Sequence, residues 1–269
     1  MITARSPHAD PYILRMDDIS KSFKGLMAVN HYHLELKKGE ILAIIGPNGA
    51  GKSTIFNLIT GYLHPTTGEI WFANQEITHL PPDKISRLGI GRTFQNVRLF
   101  SSMTVLENVM TARQLHHPYS VFSALSSFGK FSESEEKLTQ EALEQLEPFD
   151  LLELADTNAL TLPYGSQRRL EIVRALALRP ILMLLDEPTA GMSRHESMEI
   201  LELIRHIRDQ YDLTIIIVEH NMPVVMQLCD RLQVLSYGQI IAEGTSDEIR
   251  ADPKVIEAYL GKEDDDVVL

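Results

Sequence analysis

Apolar residues fall along this chain in two rhythms. His33-Leu34-Glu35-Leu36 alternates polar with apolar and stops at the Lys38-Gly39 turn, the mark of a half-buried strand. Tyr12–Asp17 alternates less sharply and predicts a strand as well. Glu40–Ile45, Ile181–Leu185 and Leu213–Val218 are short, almost unbroken apolar runs. Runs of that kind belong to strands of a parallel sheet covered on both faces. Ile70-Trp71-Phe72 resumes as a strand after the break at 64–69. Leu232–Ser236 and Gln239–Ala242 flank Tyr237-Gly238 and predict a hairpin. Helical spacing appears elsewhere. Ile55–Ile59 reads as a helix, and Pro81–Leu88 as a short one. From Thr104 to Leu146 the signals are helical, with Leu138, Ala142 and Leu146 at i, i+4, i+8. The Ser- and aromatic-rich stretch 116–132 inside it predicts a long loop. Gln167–Leu178 predicts a helix with Leu170, Val173 and Ala177 on one side and Arg168, Arg169 and Glu171 elsewhere. His195–Gln210 predicts another, apolar at Ile200, Leu203, Ile204 and Ile207. No repeat of solenoid period is present.

Between the apolar run ending at Ile45 and the helix through Ile59 stands Gly46-Pro47-Asn48-Gly49-Ala50-Gly51-Lys52-Ser53-Thr54. It fits the phosphate-binding pattern G-x-x-x-x-G-K-[ST]. The chemistry requires that strand–loop–helix order. Glycines let backbone N–H groups turn inward around phosphate oxygens, and the helix N-terminus adds its positive end. Lys52 would reach the β- and γ-phosphates, and the Ser53 hydroxyl would ligate Mg²⁺. Downstream, an apolar strand closes in Asp186-Glu187-Pro188. In a P-loop protein such an Asp holds Mg²⁺, and Glu187 can polarise the attacking water. His220 ends the next strand, on the edge of a sheet where ligands bind. From local sequence alone several positions keep two readings. Gln95 after Phe94 could touch metal and water or be a solvated loop residue. Phe23 could stack on adenine or fill a core. Leu162-Pro163-Tyr164-Gly165-Ser166 could present N–H groups to an anion or simply start a helix.

Composition narrows the class. The chain has 269 residues, 44% hydrophobic and 23% charged, ordinary for a globular protein with a sizeable core. The net charge of −12 argues against a nucleic-acid partner and against a polybasic membrane anchor. A single cysteine, Cys229, permits no internal disulfide and suits a reducing compartment. No run approaches the about 20 apolar residues of a membrane span. Residues 1–11 read as a disordered leader without a signal-peptide core, and 262–269 as an acidic, mobile tail.

Taken together these residues resemble the ATP-binding-cassette (ABC) ATPases, over about Tyr12 to Gly261. The family's motifs occur in its order: A-loop aromatic (Phe23), Walker A (Gly46–Thr54), Q-loop (Gln95), signature (Leu162–Ser166), Walker B with catalytic glutamate (Met183–Glu187), D-loop (Ala190–Ser193) and H-loop (His220). A guanine-specific N-K-x-D motif is absent. The pieces Arg92–Asn96, Tyr164-Gly165 with Gln167–Ile172, Ala190-Gly191-Met192, Val218-Glu219-His220 and Ala258-Tyr259-Leu260-Gly261 resemble the ATPase subunits of branched-chain amino acid importers. Two departures stand out. The common signature is L-S-G-G-Q, but here Pro163, Tyr164 and Ser166 replace its Ser, first Gly and Gln. The D-loop ends in Ser193 where Asp is commoner.

The resemblance implies an α/β fold: a P-loop NTPase (RecA-like) core, about 12–95 and 178–255, with an N-terminal antiparallel β layer. A helical subdomain, about 96–177, is inserted, and 256–269 forms a helix end and tail. It implies binding of ATP with Mg²⁺ at Ser53, Gln95 and Asp186, and hydrolysis in which Glu187, Gln95 and His220 act. It implies a second cassette, identical or not, that sandwiches ATP head-to-tail against this signature. It also implies permease subunits, an indirectly engaged substrate-binding protein, and a peripheral position on the cytoplasmic face of the inner membrane. Alternatives are the cassette of another transporter (amide or urea uptake, lipopolysaccharide export), a soluble ABC ATPase, or a binding module without turnover.

Overall fold

The computed structural model describes residues 11–113 and 128–260. The expectations for 1–10, 116–127 and 262–269 lie outside the described residues. Contacts divide the chain into two compact units, Met1–Ile85 with Asp212–Leu269, and Ser86–Tyr211.

The first unit opens with long antiparallel strands β1 (Tyr12–Phe23) and β2 (Leu26–Lys37). In β2 the alternation holds: Tyr32, Leu34 and Leu36 are buried while His31, His33 and Glu35 face out. β3 (Ile41–Ile45) is buried at every position and leads through a loop into α1 (Lys52–Ile59). β4 (Thr67–Phe72) and β5 (Gln75–Glu76) complete a four-stranded antiparallel layer in the order β2-β1-β4-β5, and α2 (Pro82–Arg87) closes this segment.

The second unit pairs β6 (Ile90–Arg92) in parallel with β7 (Leu182–Asp186), in the register Ile90↔Leu182. Between them come α3 (Val105–Arg113), α4 (Phe128–Leu146) and α5 (Tyr164–Leu176); α6 (Arg194–Tyr211) follows β7. Leu138, Ala142 and Leu146 are buried on α4 as the periodicity requires. Three readings are corrected. Residues 128–132, expected in a loop, belong to α4. The helix expected at Gln167 begins at Tyr164, and Arg168 and Glu171, expected off the apolar side, are buried. On α6 Leu201 is buried with Ile200, Ile204 and Ile207, whereas Leu203 is only half-buried.

The chain then returns to the first unit. β8 (Thr214–Val218) pairs in parallel with β3, and β9 (Arg231–Ser236) pairs in parallel with its other edge; α7 (Met222–Leu228) connects them. All five positions of β3 are buried, on both faces of the sheet, and so it reads as a solid apolar run. β9 and β10 (Gln239–Gly244) form the expected hairpin, turning at Tyr237-Gly238, both at positive φ as a mirror-image two-residue turn requires. α8 (Ser246–Ala251) starts with a reciprocal cap between Thr245 and Glu248, and α9 (Pro253–Leu260) ends the described chain.

Candidate functional site

In the first unit, Gly46 to Gly51 join the end of β3 to the start of α1. Gly46 has φ +148, and a Cβ there would lie 2.2 Å from the Leu235 carbonyl oxygen. Gly51 has φ +108, and a Cβ there would lie 2.6 Å from the Ala28 carbonyl oxygen. No other residue type fits either position, so the loop is clamped between β9 and β2. The Ala50 N–H donates to the Pro47 carbonyl (3.1 Å), and the Ala50 carbonyl accepts from the Gly238 N–H (2.9 Å). Ile55 N–H donates to the Gly51 carbonyl at 3.0 Å. The N–H groups of Lys52, Ser53 and Thr54 precede it, so no helical carbonyl serves them. That first turn is a ready anion site. Lys52 is 6% exposed; its Nζ donates to the carbonyls of Gly46 (2.6 Å) and Pro47 (3.1 Å), keeping a buried ammonium at the loop.

Other expected residues of this unit sit at its strand ends. His220 is exposed just after β8. Its neighbour Glu219 is buried, and the carboxylate accepts from the backbone N–H groups of His220 (3.1 Å) and Asn221 (3.4 Å), holding the turn. Phe23, at the end of β1, is 42% exposed with the Lys21 ammonium 5.3 Å from its ring centre, so it is a surface aromatic and not a core one. Tyr259, named above only within the resemblance at Ala258–Gly261, also reaches the loop. The Tyr259 hydroxyl on α9 takes a backbone hydrogen bond from Gly46, and burial pushes its pKa up to about 12. Between α9, the hairpin and the loop lies a cavity of about 440 Å³ lined in part by Asn48, Gly49, Tyr237, Lys254 and Glu257.

In the second unit, β7 ends on buried Asp186. Its N–H donates to Thr93 Oγ1 (3.2 Å), and Arg92 donates to its carboxylate at 3.3 Å. Burial raises the Asp186 pKa, and the Arg92 guanidinium offsets part of that rise. Glu187 follows in the left-handed region, φ +46, sparsely populated for a side-chain-bearing residue. Its carboxylate accepts from Gln95 Nε2 at 3.0 Å, so these two expected site residues meet.

Leu162–Ser166, which resemble the signature, lead into α5. Leu162 is buried, Pro163 occupies the position before the helix, and Tyr164, Gly165 and Ser166 form its first turn. Gln167 N–H is already bonded to the Pro163 carbonyl at 3.0 Å. The orphan N–H groups are therefore those of Tyr164, Gly165 and Ser166, and not groups beginning at Gln167. Gly191 of the D-loop, at φ +75, lies beside the Tyr164 ring: a Cβ there would be 3.7 Å from it. Ser193 has a structural role of its own. Its N–H donates to the Glu196 carboxylate (2.8 Å) and its Oγ accepts from the Glu196 N–H (3.3 Å), a capping box for α6.

Sequence reasoning missed a buried side chain that makes four hydrogen bonds. Arg168 is fully buried. Its Nη1 donates to the carbonyl of Phe94 (2.6 Å) and to Glu171 Oε2 (2.8 Å). Its Nη2 donates to the carbonyls of Gln95 (2.9 Å) and Glu187 (3.0 Å). Glu171 Oε1 accepts from the Phe94 N–H at 3.1 Å. A signal was available: Arg168 shares a helix face with Ile172 and Ala175, both buried.

The donor types suit nucleotide with Mg²⁺. Hydroxyl, carboxylate and amide oxygens at Ser53, Asp186 and Gln95 are hard ligands. Among the described residues no group of three or more His, Cys, Asp or Glu side chains is placed to hold a metal. Among those residues no helix is long and apolar enough to cross a membrane.

Comparison with known proteins agrees with this geometry. The sequence profile of ABC transporters matches residues 29–190, and that of the branched-chain amino acid ATP-binding cassette transporters matches residues 239–265. LivG of Salmonella typhimurium, a high-affinity branched-chain amino acid transport ATP-binding protein, is 43% identical over 93% of this chain and 98% of its own. BraF of Pseudomonas aeruginosa, described in the same words, is 42% identical over the same shares. Among solved structures, the ADP conformation of an ATP-binding cassette of an ABC transporter superposes with a TM-score of 0.81. It is 35% identical over 93% of this chain and 99% of that one. A dimeric post-hydrolysis cassette bound to ADP and phosphate gives 0.74 at 27% identity, over 87% and 98%.

Proposed function

The chain belongs to the ABC transporter family as one of its ATP-binding cassettes, and from that premise we propose that it hydrolyses ATP to drive an importer of branched-chain or related amino acids. The observation that carries this reading is the loop Gly46–Thr54. Its two clamped glycines, a first helical turn whose N–H groups face no carbonyl of their own helix, and a buried lysine suit a polyphosphate cradle.

In this reading residues 12–95 and 178–255 form the nucleotide-binding core, 96–177 the helical subdomain and 256–269 a C-terminal appendage. Backbone N–H groups from Gly46 to Thr54, with Lys52, hold the phosphates, and Phe23 offers a ring face to adenine. Ser53, Gln95 and Asp186 would hold Mg²⁺, which would supply charge that neutralises the phosphates. Glu187 orients the attacking water and accepts its proton. Gln95, bonded to that carboxylate, sets its rotamer, and His220 donates to the γ-phosphate. Catalysis here is positioning and preorganised charge. A second cassette supplies a signature to this P-loop and receives Leu162–Ser166 over its own nucleotide. Permease subunits carry the membrane spans, a substrate-binding protein delivers the solute, and the cassette sits peripherally on the cytoplasmic face.

The test is reconstitution of the chain with its permease, partner cassette and binding protein. ATP-dependent uptake of labelled leucine, isoleucine or valine is expected, with phosphate release rising with it. Lys52→Ala should abolish uptake and weaken binding of labelled ATP. Unchanged ATP affinity in that variant would refute the assignment of Gly46–Thr54.

A further inference from the structure

We propose that Arg168 and Glu171 are positioning residues that tie the signature end of α5 to the hydrolytic centre of the same chain. A ligand at the signature would then alter hydrolysis at this chain's own site. The proposal rests on the sandwich reading above and deepens it.

The geometry is a hub with three backbone spokes. One guanidinium reaches the carbonyls of Phe94, Gln95 and Glu187, which lie on two separate loops. Glu171, one turn along α5, neutralises it and takes the Phe94 N–H. Both residues bearing the proposed water-handling groups, Gln95 and Glu187, are thus held through their own carbonyls by one side chain. Glu187 needs such a hold, because its backbone sits at φ +46, a conformation that persists only when its surroundings over-determine it.

The other end of α5 is what makes this a coupling device. Gly165 and Ser166, with orphan N–H groups, stand within one turn of Arg168 on the same rigid helix. At 1.5 Å rise per residue, anything that draws that turn forward carries the fork with it. Stability alone gives a poor account of the pair. A buried ion pair is roughly neutral against a packed apolar pair, and here Arg168 Nε is buried with no hydrogen-bond partner among the described residues. What an apolar substitute could not do is hold three carbonyls in one plane.

The experiment uses the assembled transporter with the full chain carrying Arg168→Lys or, separately, Glu171→Gln. Lysine keeps the charge and loses the fork; glutamine keeps an acceptor and loses the charge. Labelled ATP bound per complex, KM and kcat are measured together. Bound ATP and KM should stay within about twofold of wild type, while turnover per bound ATP falls about 10- to 100-fold for Arg168→Lys and less for Glu171→Gln. A second arm empties the nucleotide site that this signature completes, by altering the phosphate-loop lysine of the partner cassette. That should slow hydrolysis at this chain's own site in the wild type and add nothing in Arg168→Lys. Wild-type turnover per bound ATP in both variants, including the case where binding and rate fall in step, would overturn the proposal. So would losses that simply multiply. If the wild-type complex itself releases no phosphate, it is the functional reading that falls, and the coupling with it.

Discussion

Glu187 combines three constraints on one residue: a left-handed backbone, a carbonyl held by Arg168 and a carboxylate held by Gln95. Glutamine at this position keeps size and hydrogen bonding and removes the charge proposed above to draw a proton from water. Glu187→Gln is expected to bind ATP as the wild type does and to turn over about 10²-fold or more slowly. Equilibrium binding of labelled ATP beside steady-state phosphate release checks both halves, and near-normal release would remove Glu187 from the mechanism. Lys52 presents the complementary case. Its ammonium rests on the Gly46 and Pro47 carbonyls, so the charge is already inside the loop and needs no large movement to meet a phosphate.

Helix ends decide much of what each unit can offer. α1 and α5 both open without a side-chain cap, and both begin at the residues that sequence motifs assign to phosphate. α6 and α8, with no such assignment, are closed by Ser193–Glu196 and Thr245–Glu248. α9 touches the phosphate loop through Tyr259, which gives a test in pH. Burial raises its folded pKa from 10.0 to about 12, so folding favours the neutral phenol. Its contribution is intact below pH about 10 and is lost as pH climbs through about 12. At pH 8, Tyr259→Phe should be less stable by about 1 kcal/mol through the lost hydrogen bond. Urea titrations should show that gap closing and then reversing sign between pH 10 and 12, and a gap that stays constant would mean the phenol does not titrate there. Much of this was readable in advance. β3, β7 and β8 announced themselves because parallel strands covered on both faces need unbroken apolar runs. The β9–β10 turn did so because Tyr-Gly fits a two-residue hairpin. The start of α5 was misplaced because Pro163, Tyr164 and Gly165 read as a breaker cluster, although proline at the mouth of a helix costs no hydrogen bond. Helical periodicity puts Arg168 and Glu171 off the apolar side because pattern reading sends charge outward, and only the loops of Phe94, Gln95 and Glu187 give them partners. Residues 128–132 read as loop because they continue the serine-bearing stretch from 116 and contain Gly129, a poor helix former.

Two cassettes sharing two nucleotides need not be equal. Pro163 brings neither hydroxyl nor N–H to the nucleotide it would face, leaving the N–H groups of Tyr164, Gly165 and Ser166. One missing donor to a charged oxygen is worth about 1.5–3 kcal/mol, or roughly tenfold to a hundredfold in rate. With a non-identical partner, the site completed by this signature should be the slow one, and the site holding Glu187 the fast one. Removing each catalytic glutamate separately in the reconstituted transporter tests this. Glu187→Gln should abolish most ATPase activity and the partner's change much less. Equal losses, or a functional homodimer, would contradict it.

The placement of β3 also sets a timetable for synthesis. Its two neighbours are Thr214–Val218 and Arg231–Ser236, and Leu235 is the backbone against which Gly46 is fitted. A ribosome adding about 5–20 residues per second reaches them roughly 10–40 seconds after leaving Ile45. Throughout that interval the strand that bears the phosphate loop is an apolar segment with both edges open. The nascent chain must be kept from pairing that segment with another chain, and it can grip no nucleotide until its last third has emerged.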